Sequence, residues 1–196
     1  KTKKTYNCCP ICSSYEITKT IQHNTPKGDM VKSWVETHEK RLFFPYNVCK
    51  NCTLLYVNDY FSKDDLPKLY NELDDNLYSK SEKAHFKTQE AYKNIIVSHF
   101  KNKNNPRFII EFGPDLGILT DYISKQFKPE KYFLIEPNRK LHHSLSKIKN
   151  TEVYEEYNQI KDLRDNSVDL IIMVHVFDHI LNPKELLFSL QKKLKK

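Results

Sequence analysis

Two short cysteine pairs place the tightest restriction on how this chain can fold. Cys9-Pro-Ile-Cys12 and Cys49-Lys-Asn-Cys52 are both CxxC steps, and with Cys8 they account for all five cysteines of the chain. Two residues between thiols let both sulfurs meet one ion from a single tight turn. Two such turns complete a tetrahedral four-sulfur site, which suits Zn²⁺. Four protein ligands leave no open position, so the ion is expected to be structural. The 36 residues between the knuckles form a long insertion of the kind ribbon modules tolerate. Cys8 stays outside the set, because using it in place of Cys9 changes the knuckle spacing. His23 and His38, in the insertion, read as surface residues. Two CxxC steps in a chain whose opening residues hold no apolar signal core point to metal rather than to disulfides.

The chain has 196 residues, 39% of them hydrophobic and 29% charged, enough for one ordinary domain and a small satellite. It contains no run of 18 apolar residues, so no membrane span is predicted. With no signal core, a cytoplasmic location is expected. A first residue of Lys, not Met, implies a processed or trimmed chain. The net charge of +7 is compatible with polyanions. However, Lys and Asn are spread along the whole length, and only four arginines occur (Arg41, Arg107, Arg139 and Arg164). No basic stripe forms, so nucleic acid is disfavoured as a partner and an anionic small molecule accounts for the charge equally well.

Three segments are expected. Residues 1–60 carry the cysteines and turn-rich stretches. Residues 61–105 read as helical linker or substrate-side helices. There Ser62 with Asp65 resembles an N-cap opening, and Leu66, Leu69, Tyr70 and Leu73 keep helical spacing. A second helix, 81–100, is expected to set Ala84, Ala91, Ile95, Ile96 and Phe100 on one side. The polar run 101–106 is a breaker. From 106 to 196, short apolar runs alternate with helical stretches. Strands are predicted at 107–112, 131–135, 151–155 and 168–176, and helices at 116–127, 138–149 and 183–195. This is the pattern of an α/β, Rossmann-like, doubly wound parallel sheet. Four strands can be traced, so the sheet reads as C-terminally incomplete.

Three places in this half carry chemistry. Glu111-Phe-Gly113-Pro-Asp115-Leu-Gly117 follows a strand and opens a helix. Gly113 allows a tight turn, Asp115 sits where positive φ is needed and is better tolerated than most residues, and Gly117 allows close approach at the helix start. That helix N-terminus favours electron-rich ligand groups. Ile135-Glu136-Pro137 puts an acid at the end of the second strand, where it can accept hydrogen bonds from two ribose hydroxyls. The segment from Ser167 to Pro183 runs from a buried strand into a polar tip bearing His175, Asp178 and His179, at the sheet edge where α/β proteins bind ligands.

Together these segments resemble the class I S-adenosylmethionine-dependent methyltransferases. Glu111, Gly113 and Gly117 match their methionine-binding loop, Glu136 with Pro137 their ribose-binding acid, and Asp169 to Pro183 the strand and tip that follow. The double knuckle, Leu54-Leu-Tyr-Val-Asn58, Leu69-Tyr-Asn71, Tyr78-Ser79 and His85-Phe86 are similar to the members with a zinc-binding leader, among them sugar C-methyltransferases. In that group Asn often stands where Asp115 does here. The resemblance implies S-adenosylmethionine as cofactor, structural Zn²⁺, and a small-molecule substrate, specifically a nucleotide-linked keto-deoxysugar methylated on carbon. It assigns Tyr78, Asp178 and His179 to the substrate, with Asp178 standing where the group has Glu. His179 would remove a proton next to the keto group, as histidine titrates near neutral pH. The family normally adds three more strands. Two other readings stay open: an O- or N-methyltransferase of small molecules with the same zinc leader, which needs no such base, and a non-enzymatic zinc-ribbon binding module.

Overall fold

A computed structural model describes residues 4–19, 23–24, 43–44, 46–64 and 82–196. Two compact units divide the chain, one from Lys1–Asp74 with Leu181–Glu185, the other from Asp75–Ile180 with Leu186–Lys196. Of the helical start expected at Ser62 with Asp65, everything beyond Asp64, including the stripe Leu66, Leu69, Tyr70 and Leu73, lies outside the described residues.

In the first unit, β1 (Lys4–Thr5) pairs antiparallel with β7 (Asp59–Tyr60), and β3 (His23–Asn24) pairs antiparallel with β4 (Phe43–Phe44). A three-stranded antiparallel sheet has the order β2 (Ile17–Lys19), β5 (Tyr46–Cys49), β6 (Leu55–Val57). Ile17 stands opposite Cys49, and Val48 opposite Leu55, so the second knuckle begins at the end of the central strand. Cys9, Cys49 and Tyr56 form its buried centre, with Tyr6, Ile11, Ile17 and Leu54 packed around them. So small a core buries little apolar surface, and modules of this size usually need a covalent or metal staple.

The second unit carries the sheet that the apolar runs predict. β8 (Phe108–Phe112), β9 (Lys131–Ile135), β10 (Thr151–Tyr154) and β11 (Leu170–Met173) lie parallel in the order β10-β9-β8-β11. The reversal of order falls between β9 and β11, on either side of β8, so the first strand is central. Ile109 and Ile110 of β8 point to opposite faces and are fully buried in two separate core clusters. Each such side chain contributes roughly 1.5–3 kcal/mol of hydrophobic burial. Both faces are therefore covered, which is why β8 and β9 read as continuous apolar runs rather than alternating ones.

Among the described residues the helices are α1 (Glu82–His99), α2 (Ile118–Phe127), the single turn α3 (His142–Leu145) and α4 (Pro183–Lys193). Three expectations are corrected. On α1, Ala84, Ala91 and Ile95 are exposed, with Ile95 at 66%. The packed stripe is instead Tyr92, Ile96 and Phe100 with Val97. Tyr92 supplies the i, i+4, i+8 row, and 91 and 95 lie one residue, about 100°, off it. The helix expected over 138–149 is a 3₁₀ turn (Arg139–Leu141) followed by α3. Ser144 Oγ donates to the Leu141 carbonyl and Ser146 Oγ to that of His142, while Thr151 Oγ1 donates to those of Leu145 and Ile148. Hydroxyls so placed give the backbone an alternative to the helical ladder. The strand expected over 168–176 is shorter for a related reason. Asp169 turns its carboxylate onto the amides of Arg107 and Phe108 and onto Lys195 Nζ, and His175 leaves the strand with φ 54. Although burial opposes ionisation there, these donors hold Asp169 below the ordinary carboxylate range.

Among the described residues the most deeply buried acid is Glu111. Glu111 of β8 is 3% exposed and accepts hydrogen bonds from Thr120 Oγ1 (2.9 Å) and Tyr132 OH (2.5 Å), which joins α2 and β9 to the central strand. Burial raises its carboxyl to about 7 against the opposing effect of those two donors. Between the ordinary glutamate pKa and 7 the folded protein keeps a proton that the unfolded chain has lost, so this group's stabilising contribution is full at low pH and falls as pH rises through 7. The change amounts to about 3 kcal/mol. Glu111→Gln should therefore match the wild type in urea unfolding at pH 5 and exceed it by that order at pH 8; parallel curves for the two proteins would contradict the assignment.

Candidate functional site

The four knuckle thiols converge. Cys9 and Cys52 sulfurs are 3.6 Å apart, Cys12 and Cys49 sulfurs 3.5 Å, and all four lie within 4.8 Å of one another. A tetrahedral ion with metal–sulfur bonds of about 2.3 Å needs sulfurs about 3.8 Å apart, which this spacing meets. The two turns are copies of one another. Ser13 N–H donates to the Cys9 carbonyl and Cys9 N–H to that of Ser14; Thr53 N–H donates to the Cys49 carbonyl and Cys49 N–H to that of Leu54. Ser13 and Thr53, each directly after its knuckle, share φ near +60. Such turns direct amides at sulfur: hydrogen bonds from Ser14 N–H and then the Asn51 side chain pull the Cys12 thiol down to about 6. Cys52 is also favoured as a thiolate by the Leu54 amide, yet burial and the three neighbouring sulfurs drive it up to about 12. Four thiols this close ionise together only around a cation, so the donor set fits a soft divalent metal. Cys8, half-buried, is not among the four.

At the carboxyl end of the parallel sheet the chain leaves β8 through Gly113 (φ 60), Pro114, Asp115 (φ 53) and Leu116 to Gly117 (φ 74), which begins α2 without a side-chain cap. Space and torsion both demand glycine at 113. A Cβ there would lie 2.6 Å from Val176 Cγ2. The uncapped start of α2 leaves its first amides and the positive end of its dipole at this loop. Gly113 N–H donates to the Ile135 carbonyl, which ties the loop to the end of β9.

Glu136, the next residue, is 6% exposed and stands between two loops. Its Oε2 accepts from Asp115 N–H (3.2 Å) and its Oε1 from Asn138 N–H (2.8 Å). Its own carbonyl accepts from His142 Nε2 (2.7 Å), and its amide donates to Tyr154. Burial raises its pKa, with the Asn138 and Asp115 amides acting against the rise. Each oxygen has one backbone donor and keeps acceptor capacity. Pro137, half-buried, fixes the exit from β9. Of the expected loop residues, Gly113, Asp115, Gly117, Glu136 and Pro137 thus share this edge. Glu111 lies beneath it, engaged by Thr120 and Tyr132.

At the tip of β11, His175 is exposed and its Nε2 is 2.7 Å from Tyr92 OH of α1. Asp178 and His179 lie on the 3₁₀ turn Phe177–His179, with His179 Nε2 3.5 Å from Asp178 Oδ2. Both side chains reach solvent. Tyr78 lies outside the described residues.

The methyltransferase domain family matches residues 84–196. The chain belongs to that family. None of the curated proteins matches it. Among solved structures it is similar to an S-adenosylmethionine-dependent methyltransferase from Aquifex aeolicus, with 20% identity over 69% of this chain and 68% of that one, at a TM-score of 0.44. It is also similar to the plantazolicin methyltransferase BpumL in complex with a monoazolic desmethylPZN analogue and SAH (20% identity, 67% of this chain, 56% of that one, TM-score 0.45). A third is coclaurine N-methyltransferase bound to N-methylheliamine and SAH (15%, 55% and 33%, TM-score 0.45). The chain therefore spans about two thirds, about half and a third of these three proteins. Within the matched methyltransferase domain, sequence reasoning missed Tyr92, Asn138, His142, Thr120 and Tyr132. Tyr92 had a signal, its row with Ile96 and Phe100. The others act through backbone carbonyls, backbone amides or buried hydroxyls, which leave no motif.

Proposed function

We propose that this chain takes S-adenosylmethionine as its methyl donor and methylates a small molecule. The observation that carries this is the Glu136 carboxylate, buried between the Gly113–Gly117 loop and Asn138 at the carboxyl edge of a parallel sheet. Glu136 would accept the ribose hydroxyls, and the Gly113–Gly117 loop with the open start of α2 would take the methionine portion. The cofactor supplies an electrophilic methyl group on a sulfonium sulfur. For the acceptor, carbon next to the keto group of a nucleotide-linked deoxysugar is the reading favoured by the resemblance around the knuckles and the Asp178–His179 pair. His179 would take the proton from that carbon, and Asp178 would orient the imidazole, with Tyr78 on the substrate side. In the first unit we assign the four thiolates to one structural Zn²⁺, supported by their spacing and the duplicated turns.

Calorimetry should detect S-adenosylhomocysteine binding to one site, weakened tenfold or more, about 1.4 kcal/mol, in Glu136→Ala; no binding by the wild type would remove the methyltransferase reading for this chain. His179→Asn should abolish turnover and leave that binding intact, whereas a fully active variant would favour O- or N-methylation, which needs no carbon base. Elemental analysis should find one zinc per chain, lost in Cys49→Ser and kept in Cys8→Ser; a protein that keeps its fold and contains no zinc would contradict the metal assignment.

A further inference from the structure

α1 packs Tyr92 against the core cluster that holds Ile109, Ile123 and Ile172. Its phenol reaches His175 Nε2 at 2.7 Å, and the two rings meet edge to face with centroids 5.9 Å apart. His175 is held with φ 54, a left-handed conformation that a side-chain-bearing residue adopts at a cost. The conformation of residue 175 fixes where residue 176 goes. Val176 is the residue whose Cγ2 fills the space a Cβ on Gly113 would need. A continuous line of contacts thus runs from Tyr92 through His175 and Val176 to the first glycine of the loop.

We propose that Tyr92 is a positioning residue for the cofactor loop. By bonding the strained His175 it presses Val176 onto Gly113 and holds the Gly113–Gly117 turn in its binding shape. That this turn receives the cofactor rests on the function proposed above; the mechanical link from α1 to the turn does not. A purely structural role would follow the ring, which phenylalanine keeps, because a hydrogen bond to an exposed imidazole adds little to global stability. The role proposed here follows the hydroxyl.

The test is hydrogen exchange, read by mass spectrometry on peptides covering 112–118 and 173–178. Tyr92→Phe should speed exchange in both peptides by about threefold or more while leaving Tm within about 2 °C. In a His175→Gly background, where the left-handed conformation is free and the bond is already gone, adding Tyr92→Phe should change nothing further. Unchanged exchange in Tyr92→Phe overturns the proposal, as does an equal effect in the glycine background. A Tm lowered by more than about 5 °C, with exchange raised evenly across the domain, would make Tyr92 a general packing residue and overturn it too. Titration with S-adenosylhomocysteine separates the two ideas: Tyr92→Phe should bind it about fivefold more weakly. A wild type that fails to bind would sink the cofactor reading while the exchange result still decides the link.

Discussion

The carboxylate of Glu136 is the joint on which the carboxyl edge of the parallel sheet depends. A buried carboxylate is costly unless its oxygens are met by donors. Here those donors are the backbone amides of Asp115 and Asn138, one from each of two loops. The desolvation cost of one side chain thereby becomes a force holding two otherwise independent turns together. The His142 imidazole fixes the same residue from its carbonyl side. Because Glu136 directly follows β9, and β9 is paired in register with β8, the position of Asp115 relative to the sheet is set by strand pairing as well as by the turn itself.

Two acids with similar sequence surroundings, each closing an apolar run, thus have different work. Glu111 belongs to the central strand, and its oxygen is taken by Thr120 and Tyr132, so it behaves as a buried polar clamp between strand and helix. Glu136 lies one strand over and one residue beyond the strand end, and its partners are the amides of Asp115 and Asn138 in the loops at the carboxyl edge. Two positions relative to the strand end separate a core group from one that joins the loops at the carboxyl edge. Strand pairing decides that shift, and linear spacing does not encode it.

The cysteine module is the opposite case. Its four converging thiols follow from two spacings, because the reach of two sulfurs across two residues is a local matter. The structure adds the duplicated hydrogen bonds after each knuckle and the left-handed Ser13 and Thr53, neither of which is glycine. Position-specific strain of this kind is invisible to a pattern that counts residues.

By itself the sequence determined the four cysteines, the order of parallel strands from residue 106 onward, and the positive φ at Asp115 in the first loop. Each of these follows from interactions between residues close along the chain. Tertiary structure alone decided that Tyr92, and not Ile95, faces inward on α1. It also decided that His175 meets Tyr92 and leaves Val176 to fill the space beside Gly113. These outcomes depend on pairs separated by tens of residues. Their energies arise only once the sheet has brought its strand tips side by side.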